Sequence, residues 1–112
     1  MTEVIERSAK FHIGQVVKHR IYAFRGVISD VDAMFSGTDE WLNAIPENKR
    51  PKRDQPFYHL FAENSESFYT AYVSEQNLLP DNSGKPIGHP QVASMFEELS
   101  QNQYVLKPRL SH

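Results

Sequence analysis

The residues with the most chemistry to offer form one basic run, Lys49-Arg50-Pro51-Lys52-Arg53. Four cations this close can grip phosphate oxygens or an acidic protein surface. Pro46, Pro51 and Pro56 keep the segment 46–56 out of regular structure, so it is expected as a long exposed loop. The plainer alternative is a solvated charge run that keeps the chain soluble. Lys18, Arg20 and Arg25 are the cations that would have to join this run to build one face for DNA. Asp30 and Asp32 fall on one strand face, where paired carboxylates can move protons or hold a divalent ion. No third ligand stands beside them in the sequence, so ion pairing is the expected use. The histidines at 12, 19, 59, 89 and 112 show no HxH or HExxH spacing and have no cysteine partners. His59, inside a strand, reads as a hydrogen-bonded structural residue, and His89 before Pro90 as the start of a helix. Glycines are scattered, and no phosphate-binding loop or nucleophile elbow is present. The expectation is no catalytic residue, no metal and no cofactor: not an enzyme.

These side chains must be positioned by a small frame. A chain of 112 residues is the size of one domain. Its 12 basic and 14 acidic residues give a formal net charge of -2, which argues against a surface that is basic throughout. The absence of cysteine removes disulfides and thiolate sites and suits a reducing cytosol. Met1 to Lys10 lacks a signal-type apolar stretch, and no run approaches a membrane span. The expectation is a cytoplasmic protein with no membrane partner.

Three segments set the organisation: a loose arm over 1–10, one domain over 11–106 that includes the loop 46–56, and a frayed tail over 107–112. Arg25 to Asp32 is a strand behind Gly26, with Val27, Ser29 and Val31 on one face and Ile28, Asp30 and Asp32 on the other. Gly26 marks a bulge or bend. Ser36 to Ile45 reads as a capped helical turn or two, with Trp41, Leu42 and Ile45 on one side and Pro46 as its stop. Phe57–Ala62 and Phe68–Val73 form an aromatic hairpin around a polar turn. Val92, Met95, Phe96 and Leu99 follow helical spacing and predict an amphipathic helix that packs on the strands. Tyr104-Val105-Leu106 adds a last extended segment. The pattern predicts a mainly β protein, a small strongly bent barrel of Src-homology-3 type, with an open β-sandwich as the alternative.

Period-two geometry sends about half of the hairpin's rings inward. Those left outside could stack nucleic-acid bases or meet a partner protein. Trp41, Tyr58, Tyr69 and Tyr72 are the candidate exposed or interface aromatics.

The runs Phe11 to Val17 with His19, Arg25 to Ile28 with Asp30 and Asp32, Gln55 to Leu60, Tyr72 to Leu78 and His89-Pro90 resemble the HspQ or YccV-like heat-shock family. That family is also called the hemimethylated DNA-binding domain. The motifs occur in order and cover nearly the whole chain after residue 10. The resemblance implies a bent barrel with a terminal helix, and a role in bacterial protein quality control. It implies modulation of ATP-dependent proteolysis, notably by the Lon protease acting on clients such as the replication initiator DnaA. It also implies hemimethylated DNA as a partner. Related domains in larger proteins sit in protease-adaptor and ubiquitin-ligase contexts. The family pattern places a glycine in the hairpin turn where this chain has Asn64-Ser65. The expected function is therefore proteolysis regulation through protein contact, with DNA binding as the alternative. A holdase or homo-oligomeric scaffold is a third reading.

Overall fold

A computed structural model describes residues 8–108. Five antiparallel strands form one sheet: β1 (Val16–His19), β2 (Arg25–Asp32), β3 (Phe57–Glu63), β4 (Phe68–Ser74) and β5 (Leu78–Pro80). Their order is β4-β3-β2-β1-β5, so β4 and β5 are the edges and no hydrogen-bonded ladder closes a barrel. Two short helices, α1 (Asp39–Asn43) and α2 (Val92–Met95), lie in the excursions. The protein is mainly β, as the alternating patterns require.

Both faces of the sheet are buried, and alternation along β3 shows how. Tyr58, Leu60 and Ala62 point into the concave core with Val17, Ile28, Val73 and Leu78. Phe57 points the other way and packs with Phe35 and Leu42 from the excursion between β2 and β3. Phe61 also points outward and meets a cluster of Val16, Val27, Ile87, Val92, Phe96 and Tyr104. Burial of one such side chain is worth about 1.5–3 kcal/mol, so these three clusters hold the sheet from both sides.

Two glycines are dictated by close approach. Gly14 has φ +91°, and a side chain there would collide with the Tyr104 carbonyl. A Cβ on Gly26 would lie 2.8 Å from the Phe61 carbonyl, which is why β2 can cross β3 tightly. The bulge of β2 is not at Gly26 but between Ile28 and Asp30. That extra residue breaks the expected alternation, and Val31 packs on the same core as Ile28. Ser29 is diverted to donate its hydroxyl to the His59 carbonyl at 3.1 Å.

The capped turn expected within Ser36–Ile45 is α1, and Thr38 is its cap, accepting from the Trp41 N–H. The hairpin turn manages without glycine. Asn64 Oδ1 accepts from the N–H groups of Glu66 and Ser67, both at 2.8 Å, and so closes the turn with a side chain.

The helix expected through Leu99 stops after four residues. Phe96 is extended, Glu97 N–H donates to Val105 O at 2.8 Å and Lys107 N–H donates to Met95 O at 3.0 Å. A short helix is marginal, and pairing with the 105–107 segment wins over it. The apolar stripe nonetheless buries Val92 and Phe96. The segment 104–106 is not a sheet strand: Leu106 makes an isolated bridge to Phe96, and Gln103 before it bridges Gln15 and Ser100. Pro51 and Pro56 are buried and Glu47–Lys49 forms a helical turn, so the loop 46–56 is more built than expected. Most of the arm (1–7) and of the tail (109–112) lies outside the described residues; Lys10 N–H donates to Glu75 Oε1 at 2.7 Å. Among the described residues no helix is long and apolar enough to cross a membrane.

Candidate partner-binding groove

A groove of about 900 Å³ follows the edge strand β4. Its lining includes both faces of β4, from Tyr69 to Ser74. Over the outer face, Trp41 meets the Tyr72 ring edge-on at 5.6 Å. Over the inner face, Phe24 meets Tyr69 edge-on at 5.9 Å. The excursion 41–51 and the loop 19–24 therefore form opposite walls, with the open edge of β4 between them.

Each wall carries exposed apolar groups. Ile21 is 63% exposed and Tyr22 54%, while Trp41 keeps 41% despite stacking on Phe35 at 5.7 Å. Exposed large apolar side chains along both sides of a groove mark interaction surfaces. Ile21 and Tyr22 were not expected from the sequence. The available signal was an apolar run, Ile21-Tyr22-Ala23-Phe24, placed in a turn between two strands that did not need it for their cores.

The loop that carries them is held by His19. Its Nδ1 accepts from the N–H groups of Ile21 and Tyr22, each at 3.0 Å. Burial, helped by the neighbouring Arg20 charge, lowers the His19 pKa, so the acceptor form is favoured. Arg20 reaches the far end of the groove, where its Nε donates to Asn77 Oδ1 at 3.0 Å.

Of the seven candidate cations, Arg20, Lys49 and Arg50 line the groove. Lys18 and Arg25 line an adjoining depression that shares His19, Tyr22 and Phe24 with it, and Lys52 and Arg53 line neither. Arg25 is a clamp for the loop after β5: it bonds Asp81 at 3.0 Å and the carbonyls of Lys85 and Pro86. Arg50 forks onto the carbonyls of Leu42, Asn43 and Ile45 and so satisfies the end of α1. Arg53 pairs with Asp39 at 2.6 Å and lies over the Phe35 ring at 5.3 Å. Lys18, Lys49 and Lys52 are exposed and make no ion pair with a described residue.

Of the candidate aromatics, Trp41 is exposed, and Tyr69 and Tyr72 are half-buried in the groove. Tyr58 corrects the sequence reading: it is fully buried, not an interface ring. Strand alternation turns it into the concave core, where its hydroxyl accepts from Phe11 N–H at 3.1 Å and donates to Glu75 at 2.7 Å. Burial, with Glu75 beside it, pushes its pKa up to about 12.

The pairing of Asp30 with Asp32 gains a third member that the sequence did not reveal. Donor atoms of Asp30, Asp32 and His59 all lie within 4.8 Å of one another. Asp32 Oδ2 already accepts from Ser36 Oγ at 2.6 Å, Tyr72 OH at 2.8 Å and His59 Nε2 at 3.0 Å. Burial opposes ionisation of Asp32, but these three donors outweigh it and leave the pKa below the usual value. The carboxylate acts as a hub that fixes Tyr72 and His59 beneath the groove. His59 is thus hydrogen-bonded, and buried His89 accepts from Gln91 N–H at 3.0 Å at the entry to α2.

The chain is similar to F-box only protein 21 of Mus musculus, 29% identical over 105 residues, which covers 93% of this chain and 16% of that protein. The Homo sapiens protein of the same name is 28% identical over 100 residues, or 88% of this chain and 15% of the relative. This chain thus spans less than one fifth of the length of either relative. No solved structure matches. The sequence model described as "Hemimethylated DNA-binding protein YccV like" matches residues 9–103, and the chain belongs to that YccV-like family.

Proposed function

We propose that this protein is a non-catalytic, cytoplasmic regulator of protein quality control. It modulates ATP-dependent, Lon-type proteolysis of selected clients, such as the replication initiator DnaA, by direct protein contact. The observation that carries this reading is the open seven-residue edge of β4 beside an aromatic groove. An unpaired edge is a template for an extended chain, and flanking rings give such a chain somewhere to anchor. The resemblance to heat-shock regulators supports the same direction. The mammalian relatives named F-box only protein 21 carry a similar segment over 15–16% of their length. Purified protein added to a Lon-type protease with DnaA should change the rate of degradation or the choice of client. Unchanged rate and unchanged choice would end this reading.

A second reading, hemimethylated-DNA binding, is favoured by the family description and by the exposed Lys18, Arg20, Lys49 and Lys52. Titration with unmethylated, hemimethylated and fully methylated duplexes separates the two. Methylation-dependent binding at physiological salt would put DNA first. Binding that ignores methylation and vanishes with salt leaves protein contact in front.

A further inference from the structure

We infer that the groove along β4 is a binding site for an extended acidic peptide segment with apolar residues at alternate positions, taken up by strand addition. This rests on the protein-contact reading above and names the partner's chemistry. The first support is the edge itself. Among the described residues β4 is hydrogen-bonded to β3 alone, so its other side offers unpaired N–H and C=O groups along a seven-residue strand.

The second support is charge. Arg20, Lys49 and Arg50 line the groove, and no aspartate or glutamate is among the described residues that line it. The protein as a whole has a net charge of -2, and the Asp32 carboxylate lies beneath the groove, bonded to Tyr72 and His59, so the positive charge belongs to the two walls. A negatively charged chain is attracted there and a positively charged one repelled. Arg50 is committed to the carbonyls of the α1 turn, which leaves Arg20 and Lys49, one on each wall, to meet carboxylates.

The third support is the apolar character of the walls. Ile21, Tyr22, Trp41 and Ile45 lie on either side of the edge. An added strand turns alternate side chains to opposite walls, so apolar residues at every second position reach the apolar groups of one wall while the carboxylates between them reach the cation of the other. A nucleic acid strand would also find rings and cations here, and its phosphates could take the amides, but the carbonyls that alternate with them repel phosphate and suit a peptide strand.

The test is fluorescence anisotropy with the full chain and two labelled peptides of seven residues, the length of β4. One alternates leucine with glutamate and the other leucine with lysine. The acidic peptide should bind saturably and at least about tenfold more tightly than the basic one. N-methylation of its backbone amides along one edge should weaken binding by about tenfold, since it removes the inter-strand donors. Arg20→Glu with Lys49→Glu should reverse the charge preference, and Trp41→Ala should weaken both peptides. Urea unfolding of each variant confirms that the fold is retained.

Equal affinity for the two peptides, or indifference to N-methylation, would overturn the proposal. So would displacement of the peptide by an equimolar single-stranded oligonucleotide. A stable dimer in sedimentation that excludes the peptide would assign the edge to a second copy and overturn it as well. No protease is present in this titration, so its failure leaves the outcome of the Lon assay standing on its own.

Discussion

Tyr72 donates its hydroxyl to Asp32 Oδ2 across 2.8 Å, which ties the edge strand β4 to β2 over the intervening strand β3. The same oxygen holds Ser36 and His59, so the excursion that walls the groove is fastened at this carboxylate. Asp32→Asn should destabilise the fold by about 1–3 kcal/mol, and Tyr72→Phe by about 1 kcal/mol, read from urea midpoints. The pKa of Asp32 is lowered in the folded state. Its contribution is therefore present above the ordinary aspartate value and lost as pH falls through the lowered one. Acidification should cost the Asp32→Asn variant less stability than it costs the parent.

His19 predicts a pH response of opposite origin. Its pKa is lowered, and Nδ1 is committed to accepting two backbone N–H groups. The unfolded chain binds the proton more readily, so stability falls as pH drops below about 6.5 toward the lowered folded value. His19→Asn keeps an acceptor without a titrating group and should flatten that part of the profile. Nuclear magnetic resonance titration of the His19 ring gives the folded value directly; a value above the ordinary one would contradict the geometry.

On the alkaline side the reporter is Tyr58. With its pKa raised to about 12, its contribution is intact below the ordinary tyrosine value near 10 and is lost as pH rises through the folded value. Absorbance titration of the phenolates should show a late component that disappears in Tyr58→Phe. That variant should also lose about 1 kcal/mol, because the Phe11 N–H loses its buried acceptor.

The basic segment divides into structure and surface. Arg50→Ala should cost about 1–3 kcal/mol, because it strips the carbonyls at the end of α1 of their donors. Arg50→Lys should recover only part of that, since an ammonium cannot reproduce the planar fork. Lys49→Ala with Lys52→Ala should leave stability within about 0.5 kcal/mol of the parent. Thermal unfolding of the variants measures the contrast directly.

Ser74 is the reverse case. Its hydroxyl is buried without a hydrogen-bond partner among the described residues. Ser74→Ala removes an unsatisfied group at little cost in volume, so it should be neutral or stabilising by up to about 1 kcal/mol in urea unfolding.

Three of the five strands were legible because each has a local signature. Aromatic runs marked Phe57–Ala62 and Phe68–Val73, each one residue short of the observed strand, and the β-branched run behind Gly26 marked Arg25–Asp32. The short β1 and β5 carry no such signature. The β2 bulge was not legible, since no residue type between Ile28 and Asp30 demands it; it exists because β3 must pair on both sides of it. The helix after Pro90 was over-read, because spacing reports which residues are buried but not which backbone pairing wins. The same limit applies to the site. Composition flagged the cations, but only tertiary structure shows that Arg25 and Arg50 are spent on carbonyls and that His59 joins Asp30 and Asp32. Burial of Tyr58 was decided by strand parity, which one residue of register reverses.

The two edges of the sheet are unequal, and that limits what edge pairing can build. β5 is three residues long and ends in Pro80, which has no amide hydrogen to offer. β4 is seven residues long and contains no proline. Head-to-tail growth requires the β4 of one molecule to meet the β5 of the next, and this pairing is the one the sequence denies. Pairing between identical β4 edges is two-fold symmetric and consumes both, so it closes on itself. A domain that keeps one adhesive edge in this way can capture a strand without seeding a fibre.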